Sequence, residues 1–145
     1  MQQINVAGDG SITTTLNIDY TNPHPPSDCN LERGGLCLNG LLRDVVRVYV
    51  PKGSELLESK GSEIKVEAKE DLGKTYFESF ITVRPQGKAT LELKYKLPFR
   101  LGKGSSYALL IQKQPGTEGH DYTVRVNGHE EKFKLVTDKE LKIKL

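Results

Sequence analysis

The sequence predicts an all-β fold, an antiparallel two-sheet β-sandwich of the immunoglobulin-like kind with about eight to ten strands. Three observations carry that prediction. Apolar and polar residues alternate with period two along most of the chain. Turn-forming residues recur roughly every 8–12 positions. No stretch of about twelve residues holds a convincing 3.6-residue period.

The elements follow in chain order. Gly8, Asp9 and Gly10 separate two strands. A two-residue turn would set Ile4 against Thr15 and mix the faces. A three-residue loop instead pairs Val6 with Ile12 and Ile4 with Thr14, with Gly10 in the left-handed position. Ile12, Thr14, Leu16, Ile18 and Tyr20 then share one buried face. Val46, Val48 and Val50 form the inner parity of the next strand, which Pro51 ends because it cannot donate to a ladder. Residues 51–61, bracketed by Gly53 and Gly61, read as a loop. Ile64, Val66 and Ala68 alternate with Lys65 and Glu67. Pro85, Gln86 and Gly87 are expected to join residues 77–83 to residues 89–97 as a hairpin. Residues 107–111 are apolar on both parities and read as a central strand covered on both faces. Asn127-Gly128 is a strong type I′ signal. It pairs Val126 with His129, Val124 with Glu131 and Tyr122 with Phe133, and sets Arg125 against Glu130 and Asp121 against Lys134. Leu141, Ile143 and Leu145 close the chain.

Composition bounds the function. With 145 residues the chain is one domain's worth and long enough for its own core. Mean hydropathy is −0.49, and no apolar run approaches a membrane-spanning helix. Lys plus Arg is 21 against 19 for Asp plus Glu, a net charge of +2. That balance argues against a nucleic-acid binder. Three His and no Trp leave little for acid–base, metal or sugar-stacking chemistry. No cofactor is expected.

The irregular stretch is residues 21–40, with Pro23, Pro25, Pro26, Gly34, Gly35 and Gly40. A loop that long inside a compact domain is functional, disordered or stapled. Its Cys29 and Cys37 are the only cysteines. A disulfide between them fits an oxidising compartment and stabilises by roughly 2.5 kcal/mol in the chain-entropy view. The alternative is two free thiols in a cytosolic protein. Asp28, Asn30, Glu32 and Arg33 form a candidate contact surface on this loop. Asp28, Asn30 and Glu32 also resemble a calcium-loop opening, but Arg33 stands where a glycine is needed and Asn39 where a bidentate acid is needed. His120 and His129 fall about 20 Å apart along a hairpin at ~3.3 Å per residue, so no zinc site is expected. Nucleophile-elbow, metalloprotease and P-loop patterns are missing. Lysines 65, 94, 96, 132, 134, 142 and 144 interleave with glutamates and read as edge protection rather than as a basic patch. Tyr49 and Tyr76 are the best exposed aromatic candidates for stacking on a sugar.

Some phrases are more specific. They are Arg43-Asp-Val-Val-Arg-Val-Tyr-Val-Pro-Lys-Gly-Ser54, Asp71-Leu-Gly-Lys74, Tyr95-Lys-Leu-Pro98, Leu109-Leu-Ile-Gln-Lys-Gln-Pro-Gly-Thr117 and Tyr122-Thr-Val-Arg-Val-Asn-Gly128. In this order they resemble the C-terminal region of the bacterial domain-of-unknown-function family 4012, over roughly residues 40–145. The resemblance implies a membrane-anchored envelope protein. Residues 1–145 would be the outer C-terminal part of a longer chain, with its anchor in the missing N-terminal part and no membrane contact of its own. It brings no substrate, cofactor or catalytic residue.

The expectation is therefore a single non-catalytic, extracytoplasmic interaction or spacer module in the bacterial cell envelope. It would present the loop at 21–40 to a protein or cell-wall partner. A carbohydrate-binding module is the first alternative, and an enzyme with an active site built from scattered residues the second.

Overall fold

The computed structural model describes residues 1–144, so Leu145 lies outside the described residues. The chain is all-β. Its strands are β1 (Gln2–Val6), β2 (Ser11–Thr21), β3 (Leu42–Pro51), β4 (Glu55–Lys60), β5 (Glu67–Asp71) and β6 (Lys74–Val83). They continue with β7 (Lys88–Arg100), β8 (Ser106–Ile111), β9 (His120–Val126), β10 (His129–Leu135) and β11 (Lys139–Lys144). They form a six-stranded sheet in the order β10-β9-β1-β2-β7-β4, a three-stranded sheet β3-β6-β5 and a two-stranded sheet β11-β8. Among the described residues the hydrogen-bonded sheets are thus three rather than two. One pair, β1 with β9, is parallel.

Two predicted hairpins form in the expected register. Val6 faces Ile12 and Ile4 faces Thr14. Gly10 sits at φ +80°, and its carbonyl accepts from Leu101 N at 2.9 Å. A Cβ there would lie 2.2 Å from the Leu101 carbonyl oxygen, whereas one on Gly8 would meet nothing within 4 Å. Gly10→Ala is expected to cost roughly 2–3 kcal/mol and Gly8→Ala almost nothing, read as a difference in urea midpoints. In the second hairpin Tyr122 faces Phe133, Arg125 faces Glu130 and Asp121 faces Lys134. The Arg125 guanidinium bonds the Glu130 carboxylate, and Asn127 takes the positive φ of 45° that its turn needs. Its side chain also bridges to β1, accepting from Val6 N at 2.9 Å and donating to the Val6 carbonyl at 3.1 Å.

Three expectations need correction. The first is residues 51–61, of which residues 55–60 form strand β4 against β7. Alternation there is broken by a register shift between Leu56 and Glu58, which hides a period-two signal. The second is the join at Pro85–Gly87, which carries the chain from one sheet to another. Both edges of β6 are taken by β3 and β5, and both edges of β7 by β2 and β4. Asn22 holds the crossover, donating from Nδ2 to the Gly40 carbonyl at 3.0 Å and the Val83 carbonyl at 3.3 Å. The third is β8, which pairs only with β11 and leaves Ala108 and Leu110 exposed. It is an edge strand with one covered face.

A single core joins the sheets. Ile4, Ile12, Leu91, Leu93, Val124 and Val126 come from the six-stranded sheet, Phe77 and Ile81 from the three-stranded one, and Tyr107, Leu141 and Ile143 from the two-stranded one. The Phe77 and Tyr95 rings meet at 5.5 Å across the first two sheets.

Candidate functional site

The stapled loop is built from its own side chains. Cys29 and Cys37 form a disulfide with their Cα atoms 4.8 Å apart. Asp28 Oδ1 accepts from Asn30 N at 3.2 Å, and Asn30 Oδ1 accepts from Arg33 N at 3.2 Å. Asn30 thereby caps a 3-10 turn over Leu31–Arg33, which Gly34 ends at φ 74°. Ser27 and Asn39 close the base, with Asn39 N donating to Ser27 Oγ at 2.6 Å. Asp28 and Asn30 are therefore engaged in holding the loop, while Glu32 and Arg33 stand exposed beside them.

Sequence reasoning passed over the loop's leucines. Leu31, Leu36 and Leu38 are 74%, 61% and 78% exposed. Their signal was present: apolar residues within a Gly- and Pro-bounded loop have no strand face on which to be buried. Each is an exposed apolar side chain on a cross-linked support.

A second concave feature lies between β3 and β8. It is a cleft of about 460 Å³ lined by residues 47–51 and 107–112, with Leu16, Tyr95, Leu97 and Tyr122 also lining it. Burial pushes the Tyr107 phenol up to about 12, and burial likewise raises Tyr95 and Tyr122. Tyr122 OH donates to Gln2 Oε1 at 3.4 Å, and Gln2 Nε2 donates to Tyr95 OH at 3.5 Å. Burial thus keeps these three phenols protonated well above neutral pH.

Tyr49 and Tyr76 face each other across β3 and β6, with ring centres 5.3 Å apart and planes inclined by 32°. The Arg47 guanidinium lies 5.3 Å from the Tyr76 ring centre. Glu78, between Lys69 at 2.8 Å and Arg47 at 2.7 Å, is held below its ordinary carboxylate pKa by those two cations. Tyr49 OH donates to Asp71 Oδ2 at 3.4 Å.

His120 and His129 sit at opposite ends of the β9–β10 pair. Among the described residues, no group of three or more His, Cys, Asp or Glu is placed to hold a metal. None of the described helices is long and apolar enough to cross a membrane. Lys113 ties the distinctive turn at Pro115-Gly116: its Nζ donates to the Gln114 carbonyl at 3.0 Å and to the Thr117 carbonyl. Its backbone N donates to Asp138 Oδ1 at 2.8 Å. Compared with protein-family models, curated proteins and solved structures, the chain matches none.

Proposed function

We propose that this chain is a non-catalytic interaction module that engages a protein partner through the loop at 21–40 (Asp28, Glu32, Arg33 and the leucines) on the extracytoplasmic side of a bacterial envelope. One observation carries the reading: three leucines stand exposed on a loop closed by a disulfide and by its own hydrogen bonds. Exposed leucines cost solvation, and a closed loop loses less entropy when bound, so the pair of features suits recognition. The disulfide fits an oxidising compartment, and the resemblance to family 4012 supports an anchored protein. The fold reading that goes with this is an immunoglobulin-like sandwich, with β11-β8 and β3-β6-β5 sharing the layer opposite the six-stranded sheet.

The test is site-specific photo-crosslinking in intact cells. A probe at Leu36 is expected to give one discrete protein adduct, while the same probe at Leu57 of β4 gives none. Leu31→Ser or Leu38→Ser should each cut the adduct about fivefold, as loss of an apolar anchor does. Equal labelling at both sites, or indifference to the serine variants, would sink the proposal.

Sugar binding is the second reading, and the Tyr49–Tyr76 pair on the outer face of β3-β6 supports it. A glycan array that gives no signal with the native protein, or the same signal with Tyr49→Ala, removes it.

A further inference from the structure

Strand β8 has the sequence of a central strand and the neighbours of an edge strand. Residues 107–111 are apolar on both parities, the pattern of a strand flanked and covered on all sides. Yet among the described residues β8 is hydrogen-bonded to β11 alone, and Leu110 is 54% exposed. Strand β3 is in the same position, bonded to β6 alone. The cleft of about 460 Å³ lies between these two strands. It is lined by five consecutive residues of β3 (47–51) and by β8, by no residue of β11, and by Lys74 alone of β6. It therefore opens on the edge of each strand that has no ladder partner among the described residues, the edge along which a strand's outward backbone N–H and C=O groups lie.

The chemistry of the walls selects the occupant. Two rows of free amides are matched by an extended backbone, which directs alternate residues' hydrogen-bonding groups to its two sides. Leu16, Leu97 and Phe99 line the cleft beside Tyr95, Tyr122 and Gln2, whose polar groups bond one another, so the inward side chains of such a strand are apolar. Arg47 and Lys74 line the cleft and neither Asp nor Glu does. Arg47 is already bonded to Glu78, whereas Lys74 makes no ion pair among the described residues and reaches only Gln112 Oε1, at 3.5 Å. We propose that the cleft between β3 and β8 accepts an extended peptide strand of a partner polypeptide. That strand bonds to both free edges, turns alternate apolar side chains inward and carries an acidic residue to Lys74. The site is separate from the stapled loop and does not depend on its role.

Synthetic peptides test this on the native chain. The probe is an acetylated octapeptide of alternating valine and threonine with one aspartate, placed at either end in two versions. One version is expected to bind with micromolar affinity and to slow amide hydrogen exchange at both 47–51 and 107–112. N-methylating alternate peptide residues removes donors to one edge at a time. Each of the two methylated forms should lose at least about tenfold in affinity, the worth of one or two hydrogen bonds. Lys74→Glu, an exposed change, should weaken the aspartate peptide about threefold and favour a lysine-ended one. Loss with one methylated form only would mean addition at a single edge and would overturn the proposal. So would protection at neither edge, no binding at millimolar peptide, or indifference to Lys74→Glu.

Discussion

Phe77→Ala is expected to remove about 4 kcal/mol of stability, the usual cost of emptying a fully buried aromatic site. Phe77 is 0% exposed. It stands on β6, the middle strand of its sheet, opposite Val48 on one side and Ala68 on the other. Its ring also meets Tyr95 of the six-stranded sheet at 5.5 Å. The cavity would therefore open where two sheets meet. A domain of this size has roughly 5–15 kcal/mol in all, so the variant would be marginal. Phe77→Leu keeps most of the volume and should cost only about 1–1.5 kcal/mol. Leu57→Ala, on an exposed side chain, should cost less than about 0.5 kcal/mol. Urea midpoints give the order, and an alanine variant within 1 kcal/mol of the native protein, about the error of such a comparison, would refute the shared core at this junction.

Alkaline pH should unfold the protein between about pH 10 and pH 12. Tyr107 is 4% exposed and its phenol is pushed up to about 12 from 10.0. Burial raises Tyr95 and Tyr122 in the same sense. The sign follows from proton linkage. Below pH 10 both states keep these protons and stability is unaffected. Above 10 the unfolded chain releases them while the folded chain retains them, so stability falls with rising pH until the folded pKa is passed. Tyr107 alone accounts for about 2 kcal/mol of that fall. Its hydroxyl has no hydrogen-bond partner among the described residues, so Tyr107→Phe should be nearly neutral at pH 7 and flatten the slope above pH 10. Midpoints at several pH values decide it: an unchanged slope in Tyr107→Phe would mean this phenol is not protected.

The local features are legible in the sequence. The Gly8–Gly10 loop and the Asn127-Gly128 turn set their registers, because a one-residue slip would reverse the buried face of each strand. In the stapled loop, the placing of Cys29 and Cys37 together in one polar, Gly- and Pro-rich segment pointed to the bridge, and Asp28, Asn30, Glu32 and Arg33 to a contact surface. The exposed leucines were missed because period-two patterning reads strands only; the signal they did give was the lack of any strand face in a Gly- and Pro-bounded loop.

What the sequence determined by itself was the all-β class, the register of two hairpins and the buried face of the clearly alternating strands. What only the tertiary structure decided was every choice between distant partners. Strands β6 and β7 are adjacent in sequence yet join different sheets, because β3, β5, β2 and β4 fill their edges. Strand β1 takes β9 as a parallel neighbour across more than a hundred residues. Strand β8 has a central strand's composition and keeps one edge free. Pairing between strands rests on backbone groups that are the same at nearly every residue, so the side-chain pattern shows which face is buried and leaves the partner to packing of the whole core.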